Sequence, residues 1–497
     1  MAPPPDEEEG SNLRTLLLDA THSDDDAKAA GPLARVSSDE RGAHCHQEEK
    51  EDVTLRSTLL ALALPLYAPM LLLFTAWGLV TPVLPLFALS LGASERTVGL
   101  ITSCRPLGSL LSILPSGALI ARGGARSAVL SGATVYTLAC LWGAASDNLL
   151  HLGASRVLAG MGYSLYSCAQ QVYVRYTVPS QFRGRVLASV GGTYRLGGLV
   201  APLFGGVVAQ QLGFRAVFLL QTAISALALP FIAFKMRGST AAASAGQDTQ
   251  ARRVPLGDGE EQPSLRSFFV ERKMEVGSAW MATILMSMLR SVRDLLIPLA
   301  ASAAGFSRSR VGFVTAASYA GDTLLFPVGG WLMDNVGLWA AGASSSAIMA
   351  CGMLVLSTGP TSATRIWLAS IFTGVGNGLS SGIVMALGSN IAPEDSRAGP
   401  VIASYNFIAA LGGVIGPAVV GAVAGGYGLG VGAGLATVWA CMSALWWGFL
   451  LPRPALKGRE AGWQPRGEGP MPAAEPQPGD GGQDTEPPVE SGVRASS

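Results

Sequence analysis

The sequence predicts an all-α integral membrane protein with twelve transmembrane helices in two pseudo-symmetric halves of six. Three observations predict this class: an apolar composition, apolar runs of membrane-crossing length, and one Gly/Pro pattern that occurs twice. Of the 497 residues, 49% are hydrophobic and 14% are charged, whereas soluble domains carry about 25% charged residues. The formal net charge is zero, which gives no reason to expect a nucleic-acid partner.

Twelve apolar runs are long enough to cross the membrane, since a spanning helix needs about 20 residues. They lie at approximately 66–91, 97–121, 126–146, 148–174, 186–210, 214–234, 276–301, 309–333, 338–358, 363–388, 399–424 and 428–451. The stretch 126–174 can be divided in more than one way, but the total of twelve depends on no single boundary.

Polar segments flank and separate the two halves. Residues 1–60 are acidic and residues 453–497 are rich in Pro and Gly, so we expect both to be disordered cytoplasmic tails. Residues 236–275 are expected to form a cytoplasmic linker. The six-helix halves then comprise residues 61–235 and 276–452.

Positive residues predict the orientation. The connections on the same side as both termini are rich in Lys and Arg, whereas the opposite connections carry few. Because positive residues stay in the cytoplasm, both termini are expected there. The sequence does not distinguish the plasma membrane from an organelle membrane such as the vacuole.

An internal repeat relates the halves. Pro85 and Pro298 are 213 residues apart (298 − 85), and the offset drifts to 215 by Pro202 and Pro417 (417 − 202). In this register small residues coincide across five helices: Gly92 with Gly305, Gly99 with Gly312, Gly117 with Gly330, Gly124 with Gly337, Gly160 with Gly374, and Gly162 with Gly376. Two six-helix repeats predict a substrate site at their interface near the bilayer midplane.

The loop after the second predicted helix carries Gly117, Arg122, Gly124 and Arg126, and its counterpart carries Gly330, Asp334 and Gly337. Both loops resemble the GxLxDRxGR(K/R) motif of the major facilitator superfamily, and the resemblance covers roughly residues 60–452. It implies that the motif gates the transporter, with the Asp capping a helix or pairing with Arg. Ala121 replaces that Asp in the first half.

Two further patterns resemble motifs of the drug:H⁺ antiporter branch and uncharacterised relatives. Arg156 with Gly160 and Gly162 resembles an RxxxGxG pattern linked to proton coupling. The fifth helix carries a second pattern similar to GxxxGPxxGG, formed by Gly197, Pro202, Gly205 and Gly206, with Ala201 in place of a Gly. Such a run kinks a helix and lets a neighbour approach closely.

Seven ionisable residues fall inside the apolar runs, where each costs about 2.5–3.5 kcal/mol on insertion scales. They are Arg105, Arg156, Arg195, Arg290, Arg293, Asp294 and Asp322. Arg290 and Asp294 are one turn apart and are predicted to pair, which leaves Arg293 for Asp322. Arg105 lies nearer the outer surface and is expected to reach it.

These charges have two interpretations. In one, they form a structural cluster in which each charge satisfies another. In the other, Asp322 is a protonatable switch that pairs with Arg when ionised. The candidates for proton coupling are therefore Asp322, Asp294, Arg290, Arg293 and Arg156, and the candidates for the substrate cavity are Arg195, Gln170, Gln171, Tyr166, Asn406 and Tyr319.

Three functions remain open. The first is proton-coupled efflux of small organic molecules by alternating access, and the second, favoured by the Arg surplus, is uptake or exchange of an organic anion or metabolite. The third is a non-transporting receptor or scaffold of the same fold. We expect no enzymatic activity, cofactor or metal. The expected partners are a small-molecule substrate, protons and the lipid bilayer, and the protein is expected to be a monomer.

Overall fold

The structure is a computed structural model, which describes residue 60 and the ranges 62–178, 180–236, 265–393 and 398–451. Across these ranges the regular elements are helices. The predicted tail 1–60, apart from residue 60, the segment 237–264 of the predicted linker and the predicted tail 453–497 lie outside the described residues.

The first half contains six helical elements. They are α1 (Ala68–Val80, preceded by the π-helical turn Ala63–Tyr67), α2 (Val83–Ser90), α3 (Glu95–Ala144), α4 (Leu149–Thr177), α5 (Ser180–Leu212) and α6 (Phe214–Pro230, continued by the π-helical turn Phe231–Lys235). α1 and α2 follow one another across Thr81 and Pro82 and correspond to the first predicted run. α3 covers two predicted runs, and Gly124 breaks it with φ 76°.

Helical structure begins before the predicted start of the second half at residue 276. A short helix, α7 (Leu265–Glu271), occupies part of the predicted linker, and α8 (Lys273–Ala303) starts before residue 276. These helices overlap the predicted linker, and the domain boundaries stay predictions. The remaining helices are α9 (Arg308–Asn335), α10 (Leu338–Ser357), α11 (Ala363–Leu379), α12 (Ile383–Ile391), α13 (Ala398–Tyr427) and α14 (Leu429–Leu445, continued by the π-helical turn Trp446–Leu450).

Eight helical stretches in the described ranges are long and apolar enough to cross a membrane. They are Ala63–Val80, Glu95–Ala144, Phe214–Lys235, Arg308–Asn335, Leu338–Ser357, Ala363–Ile391, Pro400–Tyr427 and Leu429–Leu450. The helices α4, α5 and α8 are 29, 33 and 31 residues long but contain more polar residues. The fold class is confirmed, and the count of twelve crossings stays a prediction.

Backbone geometry repeats between the halves. Left-handed conformations occur at equivalent glycines, where a side chain would be strained. The three equivalent pairs are Gly92 (φ 86°) with Gly305 (φ 75°), Gly124 (φ 76°) with Gly337 (φ 116°), and Gly213 (φ 89°) with Gly428 (φ 91°). The turns of both halves therefore have the same local geometry.

The halves meet along two equivalent seams, α3 against α13 and α5 against α9. A methyl group on Gly99 would lie 2.8 Å from the Cα of Gly421, and one on Gly312 would lie 2.9 Å from the Cα of Gly206. Both contacts are closer than a Cβ tolerates, so glycine is what allows the helices to approach this far. The repeat thus produces two matching contacts near the distal side, by which we mean the side of the bundle opposite the described chain ends.

The apolar core is continuous on the distal side and divided on the terminal side, where the described chain ends lie. One buried cluster includes Phe87 and Phe218 of the first half together with Leu296 and Met353 of the second. Nearer the terminal side each half has its own core: one cluster contains residues only from 62–236, and the other only from 268–451. The halves are therefore packed together on the distal side and separated on the terminal side.

Candidate functional site

An ion pair joins the two halves. Arg195 of α5 pairs through its NH1 group with Oδ1 of Asp322 on α9, and their side chains are 10% and 6% exposed. The same NH1 group donates to the main-chain oxygen of Asp322 at 3.1 Å. The guanidinium also lies 4.7 Å from the ring centre of Phe326. Two buried opposite charges thus meet at the interface between the halves.

The second carboxylate oxygen of Asp322 is also bonded. Nδ2 of Asn377 on α11 donates to Oδ2 at 2.6 Å, and Asn377 is itself buried. An ionised carboxylate only accepts hydrogen bonds, so an amide donor and a guanidinium both stabilise its charge. Asp322 therefore receives one donor from each half of the protein.

The predicted partner of Asp322 is wrong. Arg293 instead contacts its neighbour Asp294, with Nε and NH2 each 3.3 Å from Oδ1. Tyr319 on α9 donates to the same oxygen at 3.3 Å, and the Arg293 guanidinium lies 4.8 Å from its ring centre. The Asp322 carboxylate is bound from α5 and α11, so Arg293 and Asp294 form a separate group.

The predicted pairing of Arg290 with Asp294 is also wrong. NH2 of Arg290 donates to the carbonyl oxygen of Ser380 at 2.6 Å and to its Oγ at 3.0 Å. Ser380 follows the last residue of α11, where carbonyl groups have lost their helical partners. Arg290 is therefore bound by a helix end rather than by a carboxylate.

Among the described residues, the ion pair of the α5–α9 seam has no equivalent in the α3–α13 seam. The repeat equivalents of Asp322 and Arg195 are Ser109 and Ala410. Ser109 bonds to the carbonyl oxygen of Gly160 at 3.1 Å, within the first half. The α3–α13 seam has instead a neutral hydrogen bond of 2.8 Å from Ser103 Oγ to the Val414 carbonyl. The ion pair is thus specific to the seam between α5 and α9.

Arg156, the motif arginine of α4, lies apart from this group. It is 3% exposed, and its guanidinium is 5.0 Å from the ring centre of Phe218 on α6. Its Nε and NH2 have no hydrogen-bond partner among the described residues. Its contacts are therefore within the first half.

Four of the predicted cavity residues contact neither Asp322 nor Asp294. Gln170 is buried and donates to Sδ of Met70 at 3.2 Å, and Gln171 is exposed. Tyr166 lines a small gap inside the first half together with Tyr136 and Tyr163, and Asn406 is half-buried. Of the six candidates, only Arg195 and Tyr319 contact a buried carboxylate described above. Arg195 pairs with Asp322, and Tyr319 donates to Asp294.

One cavity lies between the halves and has an empty volume of about 520 Å³. Its polar lining consists of Thr81, Thr102, Arg105, Ser291 and Asp294, and Trp77 forms an aromatic wall. These residues come from the first crossing, α3 and α8. None of the six predicted cavity residues lines it, although Tyr319 donates to the carboxylate of Asp294 in its lining.

Arg105 is the residue that sequence reasoning missed. It was expected to reach the outer surface, but its guanidinium lies 5.1 Å from the ring centre of Trp77 and 4.4 Å from that of Tyr163. The expectation fails because two aromatic rings inside the protein hold the side chain. Its position one residue before Pro106, within an apolar run, was the available signal.

In the loops that carry the gating motif, only some of the motif's charged side chains form hydrogen bonds within the described ranges. Arg126 donates through NH2 to the carbonyl oxygen of Ala233 at 2.9 Å, which ties α3 to the end of the first half. Arg122 and Asp334 are exposed. The Asp334 side chain has no hydrogen bond or ion pair within the described ranges, so the predicted latch is not formed among these residues.

The glycines of the fifth-helix pattern make close contacts on α5. A methyl group on Gly197 would lie 3.0 Å from Cβ of Phe74, and one on Gly205 would lie 3.1 Å from the Cα of Leu79. Gly206 forms the contact with Gly312, and the Pro202 carbonyl oxygen lies beside Gly312. The pattern therefore lets α5 approach α1 on one side and α9 on the other.

A family profile decides the classification. The profile of the Major Facilitator Superfamily matches residues 70–417, which is most of the chain. The chain belongs to the major facilitator superfamily. This match confirms the family that the loop motifs indicated, whose members are multi-pass membrane transporters rather than enzymes.

Curated relatives from this superfamily carry a drug-resistance name. The multidrug resistance protein MdtG of Enterobacter lignolyticus is 25% identical over 193 residues, which cover 38% of this chain and 46% of that protein. MdtG of Escherichia coli K12 is 27% identical over 167 residues, covering 33% and 41%. The chain thus spans less than half the length of each of these relatives.

Solved superfamily structures share the fold over a larger part of the chain. A bacterial homologue of the human lysosomal transporter Spinster, inward-facing and unoccupied, has a TM-score of 0.64 at 14% identity, covering 82% of this chain and 99% of that one. A D-xylose–proton symporter gives 0.62 at 15% identity, covering 79% and 98%. These similarities concern the fold.

Proposed function

We propose that this superfamily member exports small organic molecules in exchange for protons, with Asp322 as the protonated group. The observation that carries the proposal is the bonding of Asp322 to Arg195 of one half and Asn377 of the other. Transporters with two six-helix repeats work by rocking the halves about a central site. The hydrogen bonds of a carboxylate that is bonded to both halves therefore depend on the relative position of the halves.

Protonation of Asp322 weakens the interaction that holds α5 and α9 together. The ionised carboxylate pairs with Arg195, and a charge-assisted bond is about twice as strong as a neutral one. A protonated carboxyl group has no charge for Arg195 to neutralise, so α5 and α9 are freer to separate. Each pH unit of a gradient supplies about 1.4 kcal/mol per proton, which is comparable with the roughly 1.5–3 kcal/mol of a bond to a charged group.

The direction of transport rests on orientation. We propose that the terminal side is cytoplasmic, because Lys and Arg are concentrated in the connections there. The core is divided on that side and continuous on the other. In this orientation the structure is open toward the cytoplasm, from which an exported substrate would enter. The multidrug resistance name of the relatives supports efflux of organic molecules.

The test is transport by the full-length protein in proteoliposomes with an imposed pH gradient. Ethidium serves as the lipophilic cation and 2-naphthoate as the organic anion. We expect gradient-driven flux of at least one probe, lost in Asp322→Asn and retained in Asp147→Asn, whose carboxylate is exposed near the distal side. Flux that depends neither on the gradient nor on Asp322 contradicts proton coupling.

A second candidate, uptake or exchange of an organic anion, is favoured by unpaired positive charge. Arg105, Arg156 and Arg290 pair with no carboxylate among the described residues. In the same assay this function predicts 2-naphthoate flux that persists without a pH gradient when unlabelled anion is present on the opposite side. Absence of flux for every probe favours the non-transporting receptor or scaffold.

A further inference from the structure

We propose that the cavity beside Trp77 selects aromatic acids, and that Arg105 is the residue that binds the acid group. This inference rests on the proposed transport function and names the substrate class for it. Both residues line the cavity, together with Asp294 of the other half.

The charge of Arg105 is not neutralised within the described part of the chain. No carboxylate there lies within ion-pair distance of its guanidinium, and its buried Nε has no hydrogen-bond partner. Charged groups inside a membrane protein normally pair with one another or face a pathway. A cation that lines a cavity without a partner therefore indicates that the partner is the ligand.

The aromatic neighbours position the guanidinium. The rings of Trp77 and Tyr163 lie 5.1 and 4.4 Å from its central carbon. Rings interact with the face of a guanidinium, whereas carboxylates bind its N–H groups in the plane. A guanidinium has five N–H donors, so donors remain for hydrogen bonds to an acid group.

Asp294 does not cancel this charge. Its Oδ1 receives bonds from Arg293 and Tyr319, so its negative charge is already matched by a cation outside the cavity lining. The cavity and its immediate neighbours therefore have two positive charges and one negative charge. The excess favours a ligand with one negative charge.

The shape of the lining favours a planar aromatic body. Trp77, Leu84 and Pro85 supply apolar surface beside the charged group, and such a lining suits an aromatic ligand. The repeat equivalent of Arg105 is Ser318 (318 − 105 = 213), which is buried and uncharged. Selectivity for acids is therefore expected from one half only.

Three planar probes of nearly equal shape separate charge from size: 2-naphthoate, 2-naphthamide and 2-naphthamidinium. Binding to the purified full-length protein in phosphatidylcholine nanodiscs is measured by equilibrium dialysis. We expect naphthoate to bind at least about tenfold more tightly than the amide, the lower end for a bond to a charged group. The amidinium should bind most weakly.

The decisive variants are Arg105→Gln and Arg105→Lys. Arg105→Gln should remove the preference for naphthoate, and Arg105→Lys should restore part of it because the charge returns without the planar fork. Arg215→Gln removes an exposed arginine of the same half outside this cavity and should keep the preference. Intrinsic tryptophan fluorescence on heating checks that each variant is folded.

The outcomes separate this inference from the proposed function. Equal affinity for the three probes, a preference that survives in Arg105→Gln, or no naphthoate binding up to its solubility overturns acid selection. Such a result leaves gradient-driven ethidium flux intact if proton-coupled efflux is correct. Conversely, naphthoate binding that depends on Arg105 stands even if no pH-driven flux is found.

Discussion

Arg195 and Asp322, 127 residues apart in the chain, form a buried ion pair between α5 of the first half and α9 of the second. The equivalent positions in the other seam are Ser109 and Ala410. A buried charge that loses its partner is costly, whereas the removal of both charges is often tolerated. The pair therefore makes a clear prediction for a double-mutant cycle.

Arg195→Gln and Asp322→Asn should each destabilise the protein by about 3–5 kcal/mol, because each leaves the other charge buried and unpaired. The double variant should be less destabilised than the sum of the two. Thermal unfolding in detergent, followed by tryptophan fluorescence, measures these differences. Arg215 and Asp147, a pair with side chains 61% and 74% exposed, provide the control: the corresponding variants should change little. Additive effects for Arg195 and Asp322 would contradict the pairing.

Gly421→Ala should impair transport more than Gly426→Ala, although both lie on α13. A methyl group on Gly421 would lie 2.7 Å from the Cα of Gly99, whereas one on Gly426 has no neighbour within 4 Å. The first substitution keeps the distal seam from closing, and the second serves as the matched control. Initial rates of probe flux in proteoliposomes measure the effect. Equal rates for the two variants would show that close contact in this seam is unnecessary.

Arg308→Gln should favour opening of the distal side. Arg308 of the second half donates to the carbonyl oxygen of Ala209 at 2.9 Å, and its guanidinium lies 4.1 Å from the ring centre of Phe214. Both partners belong to the first half, so loss of the side chain removes a clamp. Spin labels on Leu212→Cys and Tyr427→Cys, at the distal ends of α5 and α13, report the separation after the six native cysteines are replaced by serine.

The spin-label distance distribution should shift to longer values in Arg308→Gln. Arg310→Gln, two residues along α9, is the control: the Arg310 guanidinium lies 5.6 Å from the ring centre of Phe306, within the second half. An unchanged distribution in Arg308→Gln would exclude the clamp.

Arg290→Gln should loosen the break between α11 and α12. The guanidinium binds the carbonyl oxygen of Ser380, two residues before Gly382, which has φ 78°. Without it the Ser380 carbonyl oxygen keeps only its bond from the Ile383 N–H at 3.2 Å, so local opening costs less. Hydrogen exchange of Ile383–Ile391 should become faster, and Arg156→Gln in the first half should leave it unchanged. Protection equal to that of the wild type would contradict this role.

The sequence was sufficient for the fold because its main signals are local. Apolar runs predict helices, and the glycines that repeat at offsets of 213 to 215 fall where the backbone needs a left-handed turn or a close contact. Gly99 and Gly312 were matched by register alone and do contact equivalent glycines. The short helix α7 was not predicted because seven residues are too few to show a helical pattern.

Side-chain partners were less predictable. The sequence placed Asp322 inside an apolar run, but its partner depends on which way α9 is rotated about its axis. Pairing within one half was expected because Arg290, Arg293 and Asp294 lie close in the chain, whereas the observed partner comes from α5. Arg105 was missed for a similar reason, since only the fold brings Trp77 and Tyr163 beside it.

The unequal seams also affect how the molecule can move. Two identical seams would resist separation of the halves equally on both flanks. Here one flank is held by opposite charges and the other by the neutral contact from Ser103 to Val414. We therefore expect the α3–α13 flank to separate more readily than the charged flank. Protonation of Asp322 would make the two flanks more nearly equal.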